Sequence, residues 1–100
     1  MTYGFFPDAQ AEYLEAVEFF ECRRTGLGTA LIGEFERTVD LAITHPTSWK
    51  LVHPSGVRRI DLKRFPYAVF YRVMTDGQIQ ITAFAHHRRR PGYWLKRIGI

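Results

Sequence analysis

Apolar and polar positions repeat along this chain in blocks that name its elements. Thr2 to Phe6 alternates and is aromatic, which predicts a short strand, and Pro7-Asp8 ends it and supplies an N-cap for a helix. From Ala9 to about Arg24, Ala9, Tyr13, Ala16, Val17 and Phe20 recur at helical spacing on one face, while Glu12, Glu15, Glu18 and Glu21 stay off it. Its acids lean toward the start and Arg23-Arg24 close it, as the helix dipole favours. Gly26-Leu27-Gly28 breaks the period, and a second helix carries Leu31, Ile32, Phe35, Val39, Ala42 and Ile43 as its stripe up to His45-Pro46. So short a connection makes the two helices a hairpin.

After a loop from Pro46 to Ser55, three strand-like runs follow: Val57 to Leu62, Tyr67 to Met74 and Gln78 to His86. Phe65-Pro66 and Asp76-Gly77 separate them, and the second is a hairpin signal, so these strands pair antiparallel. Phe65-Pro66-Tyr67 reads as an extended entry into the central strand. The predicted fold is α+β, in the order β-α-α-β-β-β, an antiparallel sheet with a helical hairpin on one face and its other face partly open. Period-two alternation points Ile79, Ile81, Ala83 and Ala85 toward the helices and Gln80, Thr82, Phe84 and His86 away. It likewise turns Ile60, Leu62, Val69, Tyr71 and Val73 inward and Arg59, Asp61, Phe70 and Arg72 outward, so that Arg59, Arg72 and His86 share the open face. Arg58 has the parity of Ile60 and is expected to be structural, reaching a carboxylate or a carbonyl such as a helix end.

Composition bounds the rest. One hundred residues, 46% hydrophobic and 15% aromatic, suit a single globular domain over residues 1–100 and exclude disorder. Such a domain buries roughly 65% of the surface its unfolded chain exposes. The one cysteine, Cys22, allows no intrachain disulfide. The four histidines lack the spacing of a metal site, and neither metal nor cofactor is expected. No signal segment and no apolar run near the ~20 residues of a membrane helix is visible, so a cytoplasmic protein without membrane contact is expected.

Charge changes the picture more. Residues 1–50 hold four Lys/Arg against eight Asp/Glu and residues 51–100 hold ten against two, so formal charges of −4 and +8 make up the net +4. The run His86 to Arg97 concentrates the excess: Arg88, Arg89, Arg90, Lys96 and Arg97, with two imidazoles, Tyr93, Trp94 and no acid. Such a segment either meets an anionic partner or is simply a solvated face. Tyr93 and Trp94 are either exposed anchors or fold back to close the core. Phe19, off the helical stripe, is either an interface residue or packed under the tail.

Several of these stretches together resemble a known family. Gly26-Leu27-Gly28, His45-Pro46, Val57-Arg58-Arg59-Ile60, Phe65-Pro66-Tyr67-Ala68-Val69-Phe70-Tyr71 and the ending His86 to Trp94 resemble, in order and spacing, the RelE/ParE family of toxins from type II toxin-antitoxin modules. The resemblance implies a compact sheet with a helical hairpin, and a growth-arresting toxin neutralised by a cognate antitoxin wrapped over part of its surface. Its ParE-like members act on DNA gyrase, whereas RelE-like members cleave messenger RNA in the ribosome. The Phe-Pro-Tyr strand and the His-x-x-Arg-x-Pro-x-Tyr-Trp ending look more like the ParE, or plasmid-stabilisation, branch.

Each branch assigns roles. Metal-free RNA cleavage would need proton transfer and cations at the phosphate: His86 or His87 for the first, Arg59 and Arg72 for the second, Tyr93 as further donor or stacking group. The plainer reading ends a strand at His86 and pairs Arg72 with Asp61. A ParE-like toxin would instead dock the open face and Arg88, Arg89, Arg90, Tyr93, Trp94, Lys96 and Arg97 on gyrase, or on antitoxin, whose acidic segments suit a basic tail. A third reading, a non-toxic nucleic-acid-binding module, fits the basic half but lacks an RNP-type aromatic pair.

Overall fold

The computed structural model describes residues 2–99. In chain order the elements are β1 (Tyr3–Phe5), α1 (Pro7–Arg23), α2 (Leu27–Thr44), β2 (Lys50–Leu51), β3 (Arg58–Asp61), β4 (Tyr67–Val73) and β5 (Ile79–His86), with a 3₁₀ turn at Leu95–Ile98. The strands form one sheet in the order β1-β5-β4-β3-β2, with β1 parallel to β5 and every other pair antiparallel. The α+β hairpin-on-sheet fold is thus present. β2 lies inside the stretch from Pro46 to Ser55 expected as loop; two residues without apolar alternation leave no signal.

Local chemistry explains the helix ends. Pro7 begins α1, where its missing amide proton has no partner to lose, and the N-cap is Phe6, so Asp8 sits in the first turn and complements the helix dipole instead of capping. Glu21 reaches over the interhelical turn and accepts from the amides of Gly26 (3.0 Å) and Gly28 (3.0 Å), two of the unpaired donors that open α2. The helices approach tightly at Gly28, where a Cβ would stand 2.8 Å from the Val17 carbonyl oxygen. Past the far end of α2, Trp49 Nε1 donates to the Leu41 carbonyl (3.2 Å). Arg58 donates to the Trp49 carbonyl (2.8 Å), the structural role its parity indicated. Tyr71 donates its hydroxyl to the Pro46 carbonyl (2.8 Å).

Between helices and sheet lies a core built from Leu31, Phe35, Val39 and Ala42 of α2, Ala9 and Ala16 of α1, and Ile60, Val69, Tyr71, Ile79, Ile81 and Phe84 of the sheet. Buried Glu34 is the polar exception: its carboxylate accepts from the Lys63 and Arg64 amides and ties α2 to the β3–β4 turn. The other face of the sheet is largely covered, with a concavity left between β3, β4 and the tail. Val57, Ala68, Phe70, Ala83 and Ala85 are buried there beneath Trp94, with Leu95 and Ile98 packed alongside.

A bulge corrects the expected phase of β5. Tyr71 pairs with Ile81 and Phe70 with Ala83, so Thr82 has no partner on β4. Past this extra residue every side chain changes face. Phe84, expected outside, packs in the helix-side core, and Ala83 and Ala85, expected inside, floor the opposite face. His86 follows Phe84 in phase and stands edge-on to Tyr67, at the end of the strand where it still borders the concavity that Arg59 lines, away from Arg72. Val73, expected inside, is exposed at the end of its strand.

Thr82 is fully buried, and its hydroxyl has no hydrogen-bond partner among the described residues. Desolvating an unpaired hydroxyl is unfavourable. Thr82→Val is therefore expected to raise the unfolding free energy by roughly 1 kcal/mol, read from urea melts; a lower midpoint would mean that the hydroxyl is engaged.

Candidate functional site

Beyond β5 the chain turns back over the sheet, and one carboxylate holds it there. Glu12 of α1 lies at the margin of β5 past the last β1 pairing, where it accepts from the Phe84 amide (3.1 Å). It also accepts from the Tyr93 hydroxyl (2.8 Å) and from both terminal nitrogens of Arg97 (2.9 and 2.8 Å). Arg97 donates further to the Thr82 carbonyl (3.1 Å). Arg89 stands 3.9 Å from the same carboxylate, with its guanidinium 4.0 Å from the centre of the Tyr93 ring.

The electrostatics follow from this packing. Burial pushes the Glu12 carboxyl up, but the bonds from Arg97, the Phe84 amide and Tyr93 outweigh it and hold the group below its ordinary value. Burial, and then donation to Glu12, push the Tyr93 hydroxyl well up. The bond to Glu12 raises Arg97 against its own desolvation. Tyr93 and Arg97 are thereby committed to an internal network.

Of the residues expected to act on RNA, Arg59, His86, His87 and Tyr93 border one concavity beside the tail, and Arg72 lies away from it. Arg59 and His87 converge on Asp61, at 2.9 and 3.5 Å, and the Arg59 guanidinium lies 5.4 Å from the centre of the Phe70 ring. His86 Nδ1 accepts from the Arg88 amide (3.0 Å). Arg72 is at the opposite end of the β4–β5 ladder, where it bonds Gln80 (3.0 Å) rather than Asp61. Of the tail residues expected at a partner surface, Arg88, Arg89, Arg90 and Lys96 are exposed. Trp94 is not: at 4% exposure its indole packs on Phe70, which settles the anchor-or-core alternative for core. Phe19 is exposed, with Arg23 over its ring.

Nothing in the sequence singles out Glu12. It flanks an apolar stripe like any solvated acid of α1, and only an 85-residue separation joins it to Arg97. The one hint was the tail's lack of acids, which obliges its cations to seek carboxylates elsewhere.

Residues 4–91 match the family described as the ParE toxin of type II toxin-antitoxin system, parDE. The chain belongs to this ParE toxin family. No curated protein matches it. A solved structure, described as the chromosomal ParDE TA system from P. aeruginosa, superposes on this ParE-family chain with a TM-score of 0.60 at 17% identity. The superposition covers 86% of this chain and 95% of that one, a likeness of fold. The family match stops at residue 91, so Tyr93, Trp94 and Arg97, which fasten the tail, lie beyond it. No described helix is long and apolar enough to cross a membrane.

Proposed function

We propose that this chain is the toxin of a type II toxin-antitoxin module, neutralised by a cognate antitoxin in the cytoplasm, and that it arrests growth by binding DNA gyrase. Membership of the ParE family over residues 4–91 is the observation that carries this reading. The geometry supports binding over RNA cleavage. Tyr93 donates its hydroxyl proton to Glu12, and Arg72 bonds Gln80 at the far end of the ladder, so two of the groups that RNA cleavage would use are engaged elsewhere. What the molecule offers outward is charge: Arg88 and Arg90 stand exposed on the turn after β5.

Purified protein is expected to inhibit gyrase supercoiling and to leave messenger RNA intact in a reconstituted ribosome assay. Arg88→Glu with Arg90→Glu is expected to weaken inhibition by about tenfold or more, since rim charges govern encounter, with an unchanged thermal melt. Gyrase fully active at saturating protein, with messages cut, would replace this reading by the RelE-like ribonuclease. Unaffected growth on induced expression would favour the passive nucleic-acid binder.

A further inference from the structure

Along one side of α1 runs a stripe at helical spacing: Glu15, Ala16, Phe19, Cys22 and Arg23. Only Ala16 is buried; Phe19, at 48% exposure, carries the Arg23 guanidinium 4.7 Å from its ring centre. Phe19, Arg23, Tyr67 and His86 border two hollows of about 780 and 480 Å³, so a projecting ring and a recess share one surface. Glu15 and Arg23 enter no ion pair among the described residues.

The order of the stripe is its own complement. Glu15 and Arg23 lie four residues to either side of Phe19, and Ala16 and Cys22 lie three. Two copies of a helix laid antiparallel bring residues equally far from the crossing point to the same height, because both rise alike per residue. With Phe19 at the crossing, each Glu15 meets Arg23 of the other copy, each Ala16 meets Cys22, and the two phenyl rings meet on the axis. From this we infer that the α1 stripe is a homodimer interface, covered by the same stripe of a second copy of this chain about a two-fold axis through Phe19. A two-fold interface must be self-complementary, a condition that an unrelated partner does not impose on a sequence. Nucleic acid is disfavoured as an occupant by exposed Glu15 and Glu18 beside the ring. The aromatic residue is the anchor, and the flanking charges fix the register. One pair of helices buries less than the ~1,600 Å² of a standard interface, so the dimer is weak and reversible. Neither gyrase nor ribosome enters this arrangement.

The experiment is sedimentation equilibrium of the full chain up to about 1 mM, where weak pairs form. A thiol reductant keeps exposed Cys22 from cross-linking the copies. A monomer–dimer equilibrium is expected, and Phe19→Ala should weaken it by about tenfold or more. Glu15→Arg and Arg23→Glu should each do the same, by about tenfold, because every substitution occurs twice across the axis and sets like charges opposite. Mixing those two variants should restore association as a heterodimer, since both cross-axis pairs then join opposite charges. Both charged positions are exposed, so thermal melts of these variants should match that of the unaltered chain. A chain monomeric at every concentration would overturn the inference, as would a dimer indifferent to Phe19→Ala and to both reversals. So would a mixture no more associated than either variant alone.

Discussion

Replacing Glu12 with alanine is expected to cost about 3 kcal/mol of stability, since removing one partner of a buried, hydrogen-bonded ion pair leaves its donors stranded. Arg97, the Tyr93 hydroxyl and the Phe84 amide all lose their acceptor, in side chains only 14% and 11% exposed at the Glu12–Arg97 pair. Urea melts measure the loss. Glu12→Gln, which keeps an acceptor oxygen without the charge, should lose less. The pH dependence has a defined sign. Because Glu12 is held below its ordinary value when folded, its contribution is complete above the unfolded carboxylate's pKa and disappears as pH falls through the folded-state pKa. Glu12→Gln should therefore lack that share of the acid-side decline. An acid limb identical to that of the unaltered chain would show that the carboxylate does not hold the tail.

Trp94→Ala is expected to cost about 3–4 kcal/mol, the range for emptying a buried aromatic site. The indole is the lid over Phe70, Ala68, Ala83 and Ala85, and without it those side chains meet water. Trp94→Phe should recover much of the loss. Thermal melts of the two variants separate the roles: equal stability of Trp94→Ala and the unaltered chain would return this residue to the class of exposed anchors.

The contrast between these two residues shows what was legible in the sequence. Both helices, their stripes and the hairpin could be read because burial on one side leaves a 3.6-residue record, as Leu31, Phe35, Val39 and Ala42 do. The antiparallel run of β3, β4 and β5 was equally legible from alternation and the Asp76-Gly77 turn. The phase of β5 was not. An extra residue at Thr82 leaves the apolar character of the run intact while inverting its second half, so alternation alone puts Phe84 with solvent and Ala85 with the helices. A strand buried on both faces carries no polar phase marker to reveal such a change. The cover over the outer face is illegible for a related reason: small side chains at 83 and 85 make room for the Trp94 lid, and only the three-dimensional register reveals that fit. At the candidate site the cationic run was visible as composition, yet which cations are spent internally was not. Arg97 and Arg90 look alike in the chain, and only Arg97 meets Glu12.

The distance along the chain between these last partners has a kinetic meaning. Glu12 and Arg97 are 85 residues apart, so their meeting presupposes the hairpin, the bulged sheet and the docked lid. Contacts of such separation demand the largest loop closure and form after the local ones. A bond completed on the native side of the folding barrier governs how long the assembled molecule lasts, not how quickly it assembles. The clasp is therefore expected to act as a brake on unravelling, so that Glu12→Ala raises the unfolding rate and leaves the folding rate nearly unchanged.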